Sequence, residues 1–404
     1  MSIILDRPHV VETDRKLRAS LMARAAELIP LLRTNAGITE GQRRIPEENI
    51  AAIERAGLFR LTQPKRFGGH EADFRTKLEV ISELARGCGS TAWVTSLMTG
   101  GAWFIGMWND QVQADVWGSN PDARIAGVTA PTGTAEVVDG GYRVSGRWAY
   151  CSGCLHAQWL YLGVPIAGQD GQPIDVGVVL LPAADVEIED TWHVAGMRGT
   201  GSNTVVADEV FVPDHRLTSM GKLMTGEYDN RRVGETLYQV PLVSAVITDL
   251  AGPQLGLARA AMDLVIEQAS ARGIAHTEYD LQANAPTVQL AVAKAATLID
   301  TAELLAYRAA AEVDEAGLLD SFPDHLARAR NKMDVAQAIV NARDAIRELV
   351  TAHGAASFAE SNPLQRIWRD SEVASRHAVA NPGINAQVYG RALLGITDGV
   401  TPMV

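Results

Sequence analysis

The run Cys151-Ser152-Gly153-Cys154, followed by His156, holds thiols, a hydroxyl and an imidazole within one short stretch. A serine hydroxyl beside a glycine lets a flat ligand approach the backbone, with an O–H and an N–H both on offer. The C-x-x-C spacing also admits a redox pair or part of a zinc site. Zinc needs more ligands, and beyond His156 there is no second cysteine pair to supply them. A redox C-x-x-C opens a helix after a strand, whereas this one follows the strand-like Trp148-Ala149-Tyr150. A second stretch with chemical promise is Trp192–Ser202, WHVAGMRGTGS. It either supports a flat ligand or simply turns the chain. No strand leads into a G-x-G-x-x-G helix and no Walker-type loop occurs, so no nicotinamide-binding Rossmann site is expected.

Three patterned stretches must position these groups. The first is helical. Thr13 is placed to cap a helix through Leu17, Leu21, Ala25, Leu28 and Leu32 that ends before Gly37. Pro46 and Gly57 bracket a second helix, Asp73 caps a third over 74–86, and Ser90 caps a fourth carrying Trp93, Leu97 and Trp103. Asn109 or Asp110 opens a short helix that ends near Trp117. From Pro121 to Val212 the period changes to two. Candidate strands cover 124–129, 134–138, 142–145, 148–151, 159–164, 176–181, 186–189 and 205–211, with Asp139-Gly140-Gly141 as a hairpin turn. Short strands at this spacing predict an antiparallel barrel or sandwich. Beyond Pro213 long helices return: 245–272 with Pro253 at a kink or first turn, 286–315, 324–353, and one from Pro363 past His377 to about 381. Their apolar faces predict a four-helix bundle. The chain therefore reads as an α+β protein with a helical part over 1–120, a β-domain over 121–215 and a helical bundle over 216–404.

Composition limits the partners. A net charge of −12 with no basic block argues against nucleic acid; Gln42-Arg43-Arg44 and Asn230-Arg231-Arg232 are too short to track phosphates. No secretory signal and no membrane-length apolar run is visible, and three cysteines fit a reducing compartment. A cytoplasmic protein with no metal site is expected.

The helix–strand–helix order is the layout of the acyl-CoA dehydrogenase fold, and several motifs resemble that family. Arg60-Leu61-Thr62-Gln63-Pro64-Lys65-Arg66-Phe67-Gly68-Gly69 resembles its segment after the early helices. Val210-Phe211-Val212-Pro213 resembles the exit of its last strand. Glu267–Gly273, with Gln289, is similar to the stretch that reaches a neighbouring subunit's flavin. Within the fold, Gly146-Arg147-Trp148, Ser152–His156, Ser90-Thr91-Ala92-Trp93, Gly196–Ser202 and Arg366-Ile367-Trp368-Arg369-Asp370 resemble the oxygenase components of two-component flavin-dependent monooxygenases. The resemblance spans nearly the whole chain. Cys151 departs from it, since a second serine is common there in the phenol hydroxylases, and this bears on substrate more than on flavin. The residues after Arg369-Asp370 put His377 about where the dehydrogenases carry their proton-abstracting carboxylate, with Glu372 roughly one turn too early.

The resemblance implies a flavin that arrives already reduced from a separate NAD(P)H:flavin reductase, FAD in preference to FMN. That flavin reacts with O₂ to a C4a-hydroperoxide, which hydroxylates a phenolic or indolic small molecule. It implies Ser152 as the partner of flavin N5 and His377 as the base that takes the substrate's proton. It further implies Trp93 and Trp148 as walls of the cavity, Thr200 and Ser202 as donors to the isoalloxazine or phosphate, and Arg272 as a phosphate partner from the neighbouring subunit. Since the fold's flavin sites span subunits, a homotetramer is implied. Rival readings are an acyl-CoA dehydrogenase with tightly held FAD, an N-oxygenase of an amino sugar and a flavin-free assembly protein.

Overall fold

The computed structural model describes residues 15–167, 173–229, 232, 234–397 and 399–404, so the expected cap Thr13 and the pair Asn230-Arg231 lie outside the described residues. Among the described residues five α-helices come first: α1 (Arg15–Gln42), α2 (Glu47–Arg55), α3 (Phe74–Ala85), α4 (Gly89–Gly106) and α5 (Asp110–Trp117). Asp73 and Asn109 cap α3 and α5 by accepting the amides of Thr76 and Val112. α1 does not stop at Gly37. A lone glycine is a weak terminator, and the next turn is held by tertiary packing: Thr39 lies so close to Gly199 that a Cβ there would meet its methyl at 2.2 Å. Ser90 is not a cap either. The helix opens one residue earlier, and the Ser90 hydroxyl points to the Met197 sulfur at 3.9 Å. α4 is buried along its length apart from Leu97, which makes it the central rod of the molecule.

Among the described residues eight strands follow: β1 (Ile125–Val128), β2 (Gly133–Val138), β3 (Gly141–Cys151), β4 (Trp159–Ala167), β5 (Pro173–Pro182), β6 (Glu187–Glu189), β7 (Asn203–Pro213) and β8 (Leu217–Ser219). They form two four-stranded sheets, ordered β1-β4-β5-β8 and β2-β3-β7-β6. The pairings are antiparallel except β1 with β4, which run parallel because the β2–β3 hairpin of the other sheet intervenes as a crossover. The two strands expected over 142–151 are one, β3, bent by register shifts against β7. Val144, Trp148, Leu160, Leu162, Val164, Val179, Leu181 and Val205 fill the space between the sheets. The alternate residues of β4, Trp159 and Tyr161, pack against the helical core instead. One strand thereby joins the sandwich to the helices.

The remaining helices are α6 (Met220–Met224), α7 (Leu242–Thr248), α8 (Ala251–Ala269), α9 (Pro286–Leu318), α10 (His325–His353), α11 (Pro363–Ala374) and α12 (Pro382–Leu393). α8 to α11 make the bundle. The helix expected over 245–272 is broken into α7 and α8, and Pro253 falls in the first turn of α8, where its missing N–H leaves no partner unpaired. The last expected helix also breaks. It closes at Ala374 with a tight turn, His377 N–H to Ala374 carbonyl at 3.3 Å, and α12 begins at Pro382. His377 therefore sits in a joint between helices rather than on a helix.

An ion pair is buried at the α7–α8 break. Lys77 Nζ lies 2.5 Å from Asp249 Oδ1, and Ser96 of α4 donates to the Asp249 carbonyl at 2.7 Å. Gly100 admits the carboxylate, since a Cβ there would stand 2.2 Å from it. Burial pushes the Lys77 pKa down and that of Asp249 up. Removing one partner strands the other charge, whereas replacing both with apolar groups does not. Asp249→Ala or Lys77→Met is expected to cost roughly 3–5 kcal/mol. The double variant Lys77→Met/Asp249→Leu should recover most of that loss. Urea unfolding of the three variants beside wild type measures this.

Candidate active site

The site is built at the bend that ends β3. Alternation along a strand would bury Tyr150 beside Trp148. Instead the register shift between Trp148 and Cys151, with Tyr150 at φ 66°, turns the tyrosine out. It is 73% exposed and meets Trp192 edge-on at 5.9 Å. Ser152 follows and is buried. Gly153 then takes φ 78°, and a Cβ on it would come within 2.9 Å of Met98 and 3.1 Å of Val94 on α4. Only glycine lets this turn seat on α4. The Gly153 amide donates to the Thr200 carbonyl at 3.1 Å, which binds the turn to the glycine-rich loop.

Three hydroxyls meet behind the turn. Ser152 Oγ is 2.7 Å from Ser202 Oγ, which is 2.6 Å from Thr200 Oγ1, and Thr200 donates to the Met197 carbonyl at 2.9 Å. From α4, Trp93 Nε1 donates to Ser152 Oγ at 3.2 Å. The ring of this same tryptophan is 6.0 Å from that of His377, tilted by 54°. A single indole thus touches both residues singled out for chemistry.

α11 carries His377 into place and holds the glycine-rich loop as well. Asp370 Oδ1 accepts the Met197 amide at 2.5 Å, and Gly196 lies on the Arg369 backbone, where a Cβ would meet its carbonyl at 2.1 Å. Ser371 and Gln254 exchange two hydrogen bonds, 2.7 and 3.0 Å, that fasten α11 to α8. His377 is open to solvent, yet the protein around it desolvates the imidazole and lowers its pKa below the usual 6.5. At neutral pH it is an uncharged base.

Other expected residues lie elsewhere or act differently. Trp148 is fully buried between the sheets with its N–H on the Gly163 carbonyl at 2.7 Å, so it packs the sandwich and does not wall the crevice. Thr200 and Ser202 do not have free protons to give a ligand, because their hydroxyls are bonded within the chain. Arg272 follows α8 near His353, whose pKa is lowered by burial and then by the Arg272 charge; among the described residues it makes no contact with the Ser152 group. The thiols of Cys151 and Cys154 are free, buried and hydrogen-bonded to each other, and Cys154 Sγ also donates to the Gly201 carbonyl at 3.5 Å. His156 turns away to Glu47 at 3.4 Å, and burial takes its pKa down to about 4. In the sequence Trp192 and Asp370 stand only as members of longer motifs, and Tyr150 carries no role of its own. For Tyr150 the strand pattern pointed the wrong way; for Asp370 its place beside Arg369 was visible but its reach to Met197 was not.

The residues at the bend fit a flat, polar-edged ring system. The turn has no Cβ at Gly153, the exposed Tyr150 ring and the half-buried Trp192 ring lie beside it, and Ser152 Oγ keeps a lone pair that no described residue takes up. The acyl-CoA dehydrogenase N-terminal domain matches residues 12–117, and the acyl-CoA dehydrogenase C-terminal domain matches 249–382. The oxygenase subunit HsaA of a flavin-dependent monooxygenase from Rhodococcus jostii (strain RHA1) is 38% identical over 385 residues, 93% of this chain and 99% of that protein. The chain belongs to the flavin-dependent monooxygenase oxygenase subunits of the acyl-CoA dehydrogenase fold. The oxygenase component of an FADH(2)-dependent resorcinol hydroxylase from Rhizobium sp. (strain MTP-10005) is 34% identical, covering 96% of this subunit and 97% of its own length. XiaF from Streptomyces sp., solved in complex with FADH2 and glycerol, superposes with a TM-score of 0.91 at 36% identity over 96% of this subunit and 98% of its own chain.

Asp370 makes the clamp on this oxygenase's glycine-rich loop sensitive to pH. Burial raises its carboxyl from 3.8 to about 6. The folded state thus holds this proton more tightly than the unfolded chain does. The resulting stabilisation is full below about pH 4 and is lost as pH rises through 6. Between those limits wild type should lose about 3 kcal/mol relative to Asp370→Asn. Thermal melts of both proteins across this range measure it; a difference of constant size contradicts the assignment.

Proposed function

We propose that this oxygenase hydroxylates a small aromatic compound bearing an ionisable O–H or N–H, phenolic or indolic, with reduced flavin delivered by a separate reductase. The observation that carries the reading is Trp93, which reaches Ser152 with its N–H and His377 with its ring. Ser152 holds the N5 edge of the flavin through its free lone pair. When bound, the reduced flavin supplies the electrons that activate dioxygen for transfer of one oxygen atom to the substrate ring. His377, uncharged at neutral pH, takes the proton from the phenol or indole as the ring is attacked. Val94 and Met98 close the back of the turn against water.

An acyl-CoA dehydrogenase would need a free carboxylate here, and Glu372 is not free. Burial pushes its carboxyl up, but bonds from Arg347 at 2.6 and 3.0 Å and from Arg376 at 2.8 Å outweigh this and leave it lowered. A phenolic substrate suits the resemblance to the resorcinol hydroxylase, and FAD rather than FMN suits the FADH2 held by XiaF. A reductase partner is called for because the sequence carries no nicotinamide motif, and a cytoplasmic setting would supply its NAD(P)H. Association into a homotetramer is favoured by an apolar stripe on the bundle. Leu290 and Leu304, each 71% exposed, lie two heptads apart on α9, and Ile266 of α8 is 50% exposed. A second copy covering such a face could bring Arg272 to its neighbour's flavin phosphate.

With NADH alone the purified protein should give no product, and adding an unrelated flavin reductase and FAD should start turnover; product from NADH alone refutes the two-component reading. His377→Ala is expected to lower hydroxylation by roughly 10²- to 10⁴-fold while dioxygen is still consumed and released as hydrogen peroxide. Because the imidazole pKa is lowered, wild-type hydroxylation should fall off only below about pH 6.5, and this acid limb should vanish in His377→Ala. An acid limb above pH 7 would speak against His377 as the base.

A further inference from the structure

The hydroxyls behind Ser152 form a chain whose proton order is set from both ends. The Met197 carbonyl can only accept, so Thr200 gives it its single proton at 2.9 Å. At the 2.6 Å contact Thr200 must then accept, and Ser202 donates. Ser202 has no proton left for the 2.7 Å contact with Ser152, so Ser152 donates there. At the other end the indole N–H of Trp93 can only donate, and it gives to Ser152 Oγ at 3.2 Å. All four side chains are buried, which keeps water from reversing the order. Ser152 has thus spent its proton and one lone pair. What it offers a ligand is the second lone pair, an acceptor and nothing else.

We infer that Thr200, acting through this hydroxyl chain and without touching the flavin, sets how strongly the site prefers the reduced flavin that the two-component reading already requires. The inference rests on the reading that Ser152 faces N5. Reduced flavin carries an N–H at N5 and oxidised flavin a bare lone pair. The N–H completes the set of bonds on Ser152, whereas the bare nitrogen meets a lone pair with its own. Ser152 can turn its proton to oxidised N5 only if Ser202 and Thr200 both reverse, and Thr200 then gives up the Met197 carbonyl. That carbonyl keeps Trp192 Nε1 at 2.9 Å, so the loss is one hydrogen bond, and oxidised flavin bears it. Spent flavin is thereby released to the reductase while reduced flavin is retained. Thr200 is a positioning residue, acting through Ser202 on Ser152.

The test is equilibrium binding of FAD and, anaerobically, of photoreduced FADH₂ to the full-length protein, with the midpoint potential of the bound flavin as a second reading. Wild type should bind the reduced form about tenfold more tightly or better, raising the potential by about 30 mV or more relative to free FAD. Thr200→Val removes the end of the chain and should erase about tenfold of that preference, chiefly by tightening FAD. Thr200→Ser, which keeps the hydroxyl, should behave as wild type. Ser202→Ala breaks the chain at its middle, should reproduce the loss, and decides the matter if Thr200→Val does not fold. Wild type without a preference for the reduced form overturns the inference. An unchanged ratio in both Thr200→Val and Ser202→Ala, with Ser152→Ala weakening flavin, overturns it too but leaves Ser152 at N5. If Ser152→Ala alters neither affinity, the reading of Ser152 as the N5 partner falls, and the inference with it.

Discussion

The seating of the Ser152–Gly153 turn against α4 is the contact on which the rest of the structure depends. Gly153, in a left-handed conformation, brings the end of β3 into van der Waals range of Val94 and Met98, and Trp93 on the same helix bonds to Ser152. Moving this turn outward by the width of one methyl would separate Ser152 from Trp93 and Trp93's partner His377 from the sandwich. A strand end on a mostly antiparallel sandwich has no intrinsic reason to stay on a helix. It stays because α4 is buried along its length and cannot yield.

The second half of the site is held by exchanges across domain boundaries. Asp370 and Arg369 of α11 grip the loop that carries Met197 and Thr200, Arg369 also bonds Glu40 of α1, and Ser371 locks with Gln254 of α8. One turn of α11 therefore fixes the glycine-rich loop, the first helix and the bundle, and His377 follows directly after it. Farther back, the Lys77–Asp249 pair stiffens the break between α7 and α8 on the opposite side of α4. Each of these groups takes its partner from another element, so they specify how the elements meet more than they add to stability.

An imidazole beside Trp93, and not a free carboxylate, is what the end of α11 offers for chemistry. Glu372, the nearest carboxylate along the chain, is held by two arginines, and His377 faces the tryptophan that binds Ser152. The hydroxyl row from Thr200 to Ser152 adds a direction to the site, since its ends are a carbonyl and an indole N–H whose roles cannot be exchanged.

The sequence by itself determined the element order, most helix starts and the membership of the family. Caps such as Asp73 and Asn109, the change of period at Pro121 and the motifs around Ser152 and Arg369-Asp370 act over a few residues and can be read where they stand. The tertiary structure alone decided which of these residues share a site. It carried α1 past Gly37 by packing Thr39 on Gly199, and it ended α11 before His377. It tipped Tyr150 out and left Trp148 inside, although alternation puts both on one face. The physical reason is common to all four. Local pattern fixes a residue's preference, but a bulge, a joint or a hydrogen-bond chain is settled by partners far along the chain, and one displaced residue in a strand reverses the face it presents.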